Sequence, residues 1–440
     1  MYFEEGQDGM THDERWRAHW HPRGVWSDLH TNSPTHWTSL PGLTYSADEP
    51  WSASVHSVQR HVRAYASLHG LNVNDDANIT SYSTLVEELA KTADGRHWKL
   101  TFRRMQKLTE SNRLRVDVWE ELFDAIVVAV GHYTFRNIPN INGLAAWGKV
   151  KQGNGKWSVN HAQSFRRAED YAGKTLLIVG ASVSATQIAQ LTSPYVRRLI
   201  VSARSDTIGD RLGTSAFIRF PENAEIFPEI AEFAPLDASD ASISTGQIRF
   251  VNGSVVTGVD EVIFATGYRA NTFLPNMVDP RNYSNLHWTG HYIHDPTLAY
   301  MHALRPWTHG PYQSQAFARV WAGKARLPSH EIMQREYFEK KYAFGSSAFD
   351  LLPQEAGLRM FVGWLNSEAV ELGGRMVALP NHEIREIVAH YTSLNWRMGF
   401  INHDQYAAFD QLARKDWPRP REAGQEESSF EAIGAWRLDW

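Results

Sequence analysis

The chain is 440 residues long, 42% of them apolar and 21% charged, with a formal net charge of −5. This is a globular composition, long enough for two or three domains, and a mildly acidic chain without a long basic run is a poor match for nucleic acid or an anionic membrane surface. The absence of cysteine excludes disulfides, thiolate nucleophiles and Cys-ligated zinc. No stretch approaches the roughly 18 apolar residues of a membrane-spanning helix, and MYFEEGQDGMTHDERWRAHW at the start lacks the basic and apolar regions of a secretory signal. A cytoplasmic protein is expected.

Residues 1–50, rich in Trp, His, Pro and Ser, show no sustained period and are expected to be mostly irregular. Val55, Val58, Val62, Tyr65 and Leu68 then recur every three or four residues. That predicts a helix with one apolar stripe over 52–69, capped by Ser52 or Ser54 and stopped by Gly70. Apolar residues alternate at Trp98, Leu100 and Phe102 and again at Leu114, Val116 and Val118, either side of the polar QKLTESN. This predicts a hairpin or meander. It runs into FDAIVVAVGHY, where residues 124–130 read as a buried strand. The pattern returns downstream. QIRFVNGSVV, with a turn at Asn252-Gly253, runs into VDEVIFATGYR at 259–269. Asp124 matches Asp260, Ala129 matches Ala265 and Gly131 matches Gly267. The repeated unit is a meander followed by a buried strand that ends in Ala-x-Gly.

Between the two copies, residues 171–206 read as a βαβ unit: the buried strand LLIVG, a helix from Ser182 to Ser193, and a second buried strand from Arg198 to Arg204. The turn is Gly180-Ala-Ser182-Val-Ser184-Ala185, a variant of G-x-G-x-x-G with Ser in the second glycine place and Ala in the third. Such a turn lets backbone N–H groups at a helix start meet a pyrophosphate. A branched residue at 180 is expected to block that approach and leave the fold intact. The second strand ends in Arg204 rather than in the acidic residue of an NAD site, which favours the 2′-phosphate of NADPH, although Asp206 is close by. Gly153-Asn-Gly155 follows no apolar strand and is expected to be a loop. A helix is expected from Tyr312 to Ala322, ended by Gly323 and Pro328, and a loosely ordered tail after Pro418.

Taken together, these segments resemble the class B flavin monooxygenases, the flavin-containing monooxygenases and their Baeyer–Villiger relatives. The resemblance spans about residues 25–330. DAIVVAVGHYTFRNIPNINGL (124–144) is similar to the strand that closes that family's FAD half. His161-Ala-Gln-Ser-Phe165-Arg166 followed by YAGKTLLIVGASVSA is similar to its fingerprint ahead of the NADPH turn, FATGY (264–268) to its second closing strand, and Asn32 in LHTNSP to an Asn beside the flavin. The fold this implies is α/β, with two dinucleotide-binding Rossmann-like domains, the NADP one inserted into the FAD one. The implied bounds are 1–145 and 269–415 for the FAD domain and its C-terminal helices, 146–268 for the NADP domain, and 416–440 for the tail. The implied chemistry is that of an FAD- and NADPH-dependent monooxygenase passing one oxygen atom from O2 to a small organic substrate, with no metal, nucleic-acid or membrane partner. The implied site comprises Asn32 as catalytic residue, with cofactor contacts from Gly180, Ser182, Ser184, Ala185, Arg204, His161, Phe165, Gly131, Thr266, Gly267 and Gln315. His161 and Phe165 would couple the two domains.

Two closing strands imply two glycine-rich openings, and one is present. Residues 1–31 hold no apolar strand leading to a glycine turn, and Gly155 and Trp157 stand where the family's F-x-G-x-x-x-H pattern wants Phe and Gly. The chain as written is therefore expected to lack the FAD phosphate cradle, through a truncated gene model or real loss. A non-catalytic NADP(H)-binding remnant is the competing reading. A metal hydrolase built on His291, His294 and Asp295 is a third, and two His three apart without a third convergent ligand support it weakly.

Overall fold

The computed structural model describes residues 1–20, 23–72, 79–131, 133–204, 216–236, 242–269, 285–301, 306–344 and 354–398. The expected tail after Pro418, the end of the third implied segment and Asp206 lie outside these residues.

The first 50 residues are mostly irregular, as expected, with a few short elements. They form strand β1 (Tyr2–Phe3), helix α1 (His12–His19) and a single turn, α2 (Thr35–Thr38). Helix α1 starts on a capping box: the Thr11 hydroxyl accepts from the Glu14 amide at 3.1 Å, and the Glu14 carboxylate accepts from the Thr11 amide at 2.8 Å. Such a box contributes about 1 kcal/mol. The helix expected next is α3 (Val55–Leu68), capped by Ser54, whose side chain accepts from the Ser57 amide. Its apolar stripe is not the buried face. Ser57 and His61 are buried, whereas Val62 and Leu68 are 43% and 61% exposed, because the helix docks through His61, which stacks on Tyr45 at 3.9 Å.

The meander is β2 (Thr84–Lys91), β3 (Trp98–Leu108) and β4 (Arg113–Phe123), one strand more than expected, with β1 added on the far side of β4. It leads into β5 (Ile126–Val128), shorter than the 124–130 expected. After α4 (Leu144–Trp147) and β6 (Val159–His161) comes the βαβ unit, β7 (Thr175–Val179), α5 (Val183–Thr192) and β8 (Arg198–Ser202), followed by β9 (Ala224–Phe227). A second meander, β10 (Ile230–Phe233), β11 (Gln247–Phe250) and β12 (Val255–Thr257), precedes β13 (Glu261–Phe264). Strands β6-β13-β7-β8-β9 form a fully parallel sheet in that order. Leu176, Leu177 and Ile178 of β7 are all fully buried, as expected for a parallel strand covered on both faces. One face packs on Ile188 and Ala189 of α5 with Phe165, the other on Trp147, Phe233 and Phe250.

The remaining strands, β14 (Leu286–His287), β15 (His291–Tyr292) and β16 (Leu298–Tyr300), join β5 in the order β14-β15-β16-β5, with β16 and β5 parallel. Lys91 ties this sheet to the first meander through Asp295 at 2.8 Å, and the Trp98 indole donates to Thr297 at 2.8 Å. Helices α6 (Pro306–Trp321), α7 (His330–Phe344), α8 (Gln354–Leu372) and α9 (His382–Met398) follow. Helix α6 is longer than expected and carries Pro311 inside it.

Candidate cofactor-binding site

The end of β7 is the most constrained backbone in the parallel sheet. Gly180 has φ +126°, and a Cβ there would stand 2.5 Å from the Ala265 carbonyl oxygen at the end of β13. Only glycine lets the chain pass this close. The structure thus corrects the expectation that a branched residue at 180 would spare the fold. Ser182 takes the N-cap position of α5 without spending its side chain on a capping bond. The first bond of the helical ladder is Thr186 N–H to the Ser182 carbonyl, 3.1 Å, so the N–H groups of Val183, Ser184 and Ala185 precede the ladder and carry the positive end of the helix dipole. Arg219, from a turn at Ala216–Arg219, reaches back to the Ala181 carbonyl at 3.4 Å. This adds a guanidinium beside the turn that no local pattern in the sequence announces. Past the end of β8, the Arg204 side chain is 85% exposed and 4.0 Å from Glu229.

A second cluster joins the parallel sheet to the rest of the chain. Gly267, at φ +77°, follows β13. Its carbonyl accepts from the Asn137 amide at 3.0 Å and from His161 Nε2 at 3.0 Å. His161 Nδ1 accepts from the Gln163 amide at 3.1 Å, which leaves the proton on Nε2. Burial lowers the His161 pKa to about 4, so the ring is neutral at pH 7. Gln163 donates to the Tyr133 and Thr134 carbonyls (2.7 and 3.1 Å) and accepts from Arg136 (2.7 Å). The Asn137 side chain donates to the Thr266 carbonyl at 3.1 Å and the Thr266 hydroxyl to the Asn137 carbonyl at 2.5 Å. Phe165 is buried between Trp26 and Tyr171, both at 5.6 Å. The segment 161–166 therefore sews together the two strands of chain that enter and leave the parallel sheet. Sequence reading found His161 and Phe165 but missed Gln163, the residue that holds the incoming chain.

A model of the flavin-binding monooxygenase-like family matches residues 71–215. Flavin-containing monooxygenase iboF of Amanita muscaria is 31% identical over 85% of this chain and 76% of its own length. The chain belongs to the flavin-containing monooxygenases. Among solved structures, S-allyl-L-cysteine S-oxygenase from Allium sativum superimposes with a TM-score of 0.61 at 18% identity, covering 90% of this chain and 85% of that one. Cyclohexanone monooxygenase, with ε-caprolactone bound, gives 0.53 at 14%, covering 80% and 91%. These likenesses establish the two-dinucleotide-domain α/β fold.

The family uses FAD and NADPH, and the residues present can be compared with each. A strand, a glycine turn where an added Cβ would stand 2.5 Å from the Ala265 carbonyl oxygen, and a ten-residue helix whose first N–H groups precede its ladder suit a dinucleotide pyrophosphate at 180–185. Among the described residues this arrangement occurs once. The residues expected beside a flavin lie elsewhere. Asn32 is exposed on a strap held by Thr31, whose carbonyl accepts from Ser52 and from Tyr391 of α9 at 2.9 and 3.2 Å. Gly131, at φ +74°, has open space around its Cα. Half-buried Gln315 accepts from Arg319 at 3.3 Å. The His-rich stretch is dispersed: His291 is buried against Phe317, His294 meets His330 at 3.3 Å and Asp295 pairs with Lys91. No group of three metal-ligating side chains forms among the described residues, and no described helix is long and apolar enough to cross a membrane.

The segment after Asn32 walls a half-open cavity of about 670 Å3, lined on its other sides by Trp307, Pro311 and Tyr312 of α6 and by Pro380 and Ile384. Nothing in the sequence pattern located it, because its walls come from three separated stretches.

Proposed function

We propose that this chain is an NADPH-dependent, flavin-dependent oxygenase that passes one oxygen atom from O2 to nitrogen or sulfur of a small organic substrate, or inserts it beside a ketone. The observation that carries the reading is the Gly180 turn with its helix dipole and Arg204 at the end of the next strand, which suits NADPH over NADH. Residues 146–268 are the proposed NADP-binding unit, with Gly180, Ser182, Ser184 and Ala185 at the pyrophosphate, Arg204 at the 2′-phosphate and Arg219 as an added charge. Bound flavin would supply the oxygen-activating chemistry. The residues that would hold it are Asn32, Gly131 and the α6 segment containing Gln315, with Thr266 and Gly267 at the junction. His161 and Phe165 position the two units and do not touch the reacting atoms. The zero-cysteine composition is compatible with a reducing, cytoplasmic setting.

The single glycine turn among the described residues favours a second reading, an NADP(H)-binding protein without flavin turnover. The absorbance spectrum of the purified chain decides between them. Stoichiometric FAD with substrate-stimulated NADPH oxidation supports the oxygenase. A colourless protein that binds NADPH at Gly180 supports the remnant.

A further inference from the structure

We propose that Glu229, in the corner between β9 and β10, is a specificity-determining residue of the nucleotide site: it opposes the pull of Arg204 on a ribose 2′-phosphate and so narrows the margin between NADP and NAD. The proposal rests on the reading of residues 180–204 as an NADP site.

Backbone bonds fix the corner. Strands β8 and β9 run parallel, with Ser202 opposite Phe227. The Ala203 amide donates to the Phe227 carbonyl at 2.9 Å, the Ser202 hydroxyl to the Pro228 carbonyl at 2.8 Å, and the Val251 amide to the Glu229 carbonyl at 2.9 Å. Residues 227, 228 and 229 are thus tied down in succession, the first two to the strand end that carries Arg204. The Glu229 carboxylate stands 4.0 Å from Arg204 Nε. Other charges on these strands are matched elsewhere. Arg198 and Glu225, at the far end of β8 and β9, share two bonds of 2.7 Å, and Glu232 of β10 meets Arg249 of β11 at 3.0 Å. Among the described residues, Glu229 is the carboxylate paired with Arg204.

An NAD site ends its second strand in an acid that accepts from the ribose hydroxyls. Here the strand end supplies Arg204, and the acid comes from the corner after the next strand. A phosphate monoester carries about −1.5 to −2 charges near neutral pH. Arriving at Arg204, it meets a guanidinium whose charge is already partly balanced and a second anion whose backbone is pinned beside it. A nucleotide without that phosphate presents only a hydroxyl and meets no such repulsion. Arg204 and Glu229 therefore act on the same phosphate in opposite directions, and the preference for NADP is the difference between them. Both side chains are exposed, so water and salt screen the two effects and the penalty is modest.

Isothermal titration of the full chain with NADP+ and NAD+, which bind without turnover, tests this. Glu229→Gln is expected to tighten NADP+ about threefold and to leave NAD+ within about twofold. Glu229→Lys, which turns repulsion into attraction, is expected to tighten NADP+ about tenfold. Raising the salt from about 0.05 to about 0.5 M shortens the screening length to a few ångströms and should shrink the gap between wild type and variants, which a change in packing would not do. If both variants leave the NADP+ to NAD+ affinity ratio unchanged or lower it, or if the gap ignores salt, the proposal is overturned while wild-type binding of NADP+ keeps the site reading intact. A wild-type chain that binds neither nucleotide overturns the site reading and the proposal with it.

Discussion

Asp260 and Asp124 hold the same place in the repeated closing strand, and they do different work. The Asp260 carboxylate accepts from the Thr175 amide at 2.8 Å and the Arg197 guanidinium at 2.9 Å, which ties β13 to the first residue of β7. Asp124 has a 95% exposed side chain and meets His97 at 3.1 Å. The Ala265 amide donates to the Val179 carbonyl at 2.8 Å, so β13 is held along its length by the glycine-turn strand. Among the described residues, strand β5 lies at the edge of its sheet, paired with β16 on one side. Val262, Ile263 and Phe264 are fully buried, whereas Val127 and Val130 are 40% and 41% exposed. Gly131 and Gly267 nevertheless adopt nearly the same φ, +74° and +77°. Local residue order thus sets strand and turn alike in both copies, and the neighbouring strand decides what becomes buried.

The largest expected break in this comparison is Gly180→Val. Its Cβ meets a backbone oxygen at 2.5 Å in a left-handed conformation, so a loss of about 3 kcal/mol or more is expected, together with loss of NADPH binding. Gly131→Val has open space and should cost only the positive-φ strain, about 1–2 kcal/mol. Urea midpoints compare the two, and equal losses would dissolve the distinction between the copies.

Acid should strike both copies. His161, at the β13 end, and His291, next to β16, are each lowered to about 4 by burial. Below pH 6.5 the unfolded chain binds protons that the native chain refuses. Stability should therefore fall as the pH drops from about 6.5 towards 4, by about 1.4 kcal/mol per pH unit for each histidine. His291→Phe and His161→Asn should each flatten part of that slope in unfolding titrations.

Asp260→Ala removes two bonds to a charged acceptor and should cost about 2–3 kcal/mol. In binding, Arg204→Ala should weaken NADPH by about 2 kcal/mol, roughly thirtyfold, and leave NADH within about twofold. Equal weakening of both would remove Arg204 from the 2′-phosphate. The smallest effect expected is Asp124→Ala, within about 0.5 kcal/mol. A larger loss would mean that β5 has a tighter neighbour than His97.

Periodicity and turn chemistry made much of this legible. The α3 limits, the βαβ unit, the Asn252-Gly253 turn and the glycine position at 180 all follow from local residue order. Helix α1 was missed because its residues have little apolar periodicity, although Thr11 and Glu14 spell a capping box. The α3 face was misjudged because its docking is decided by Tyr45 on another segment. Gln163 and Arg219 act through contacts about 30 residues or more away, and the aromatic cavity is assembled from three stretches. No window of sequence contains such arrangements.

The junction sewn by Asn137, Gln163 and Thr266 has a consequence for the order of assembly. Trp98 and Thr297 are partners across 199 residues, whereas Asn137 and Thr266, 129 residues apart, are already pinned to each other. If the parallel sheet forms first, from its compact βαβ core, that pin shortcuts most of the long loop and leaves about 70 residues to close. Loop-closure entropy then falls by about 0.9 kcal/mol. The inserted unit would serve as a folding template that carries the two halves of the outer sheet, β5 and β16, into register.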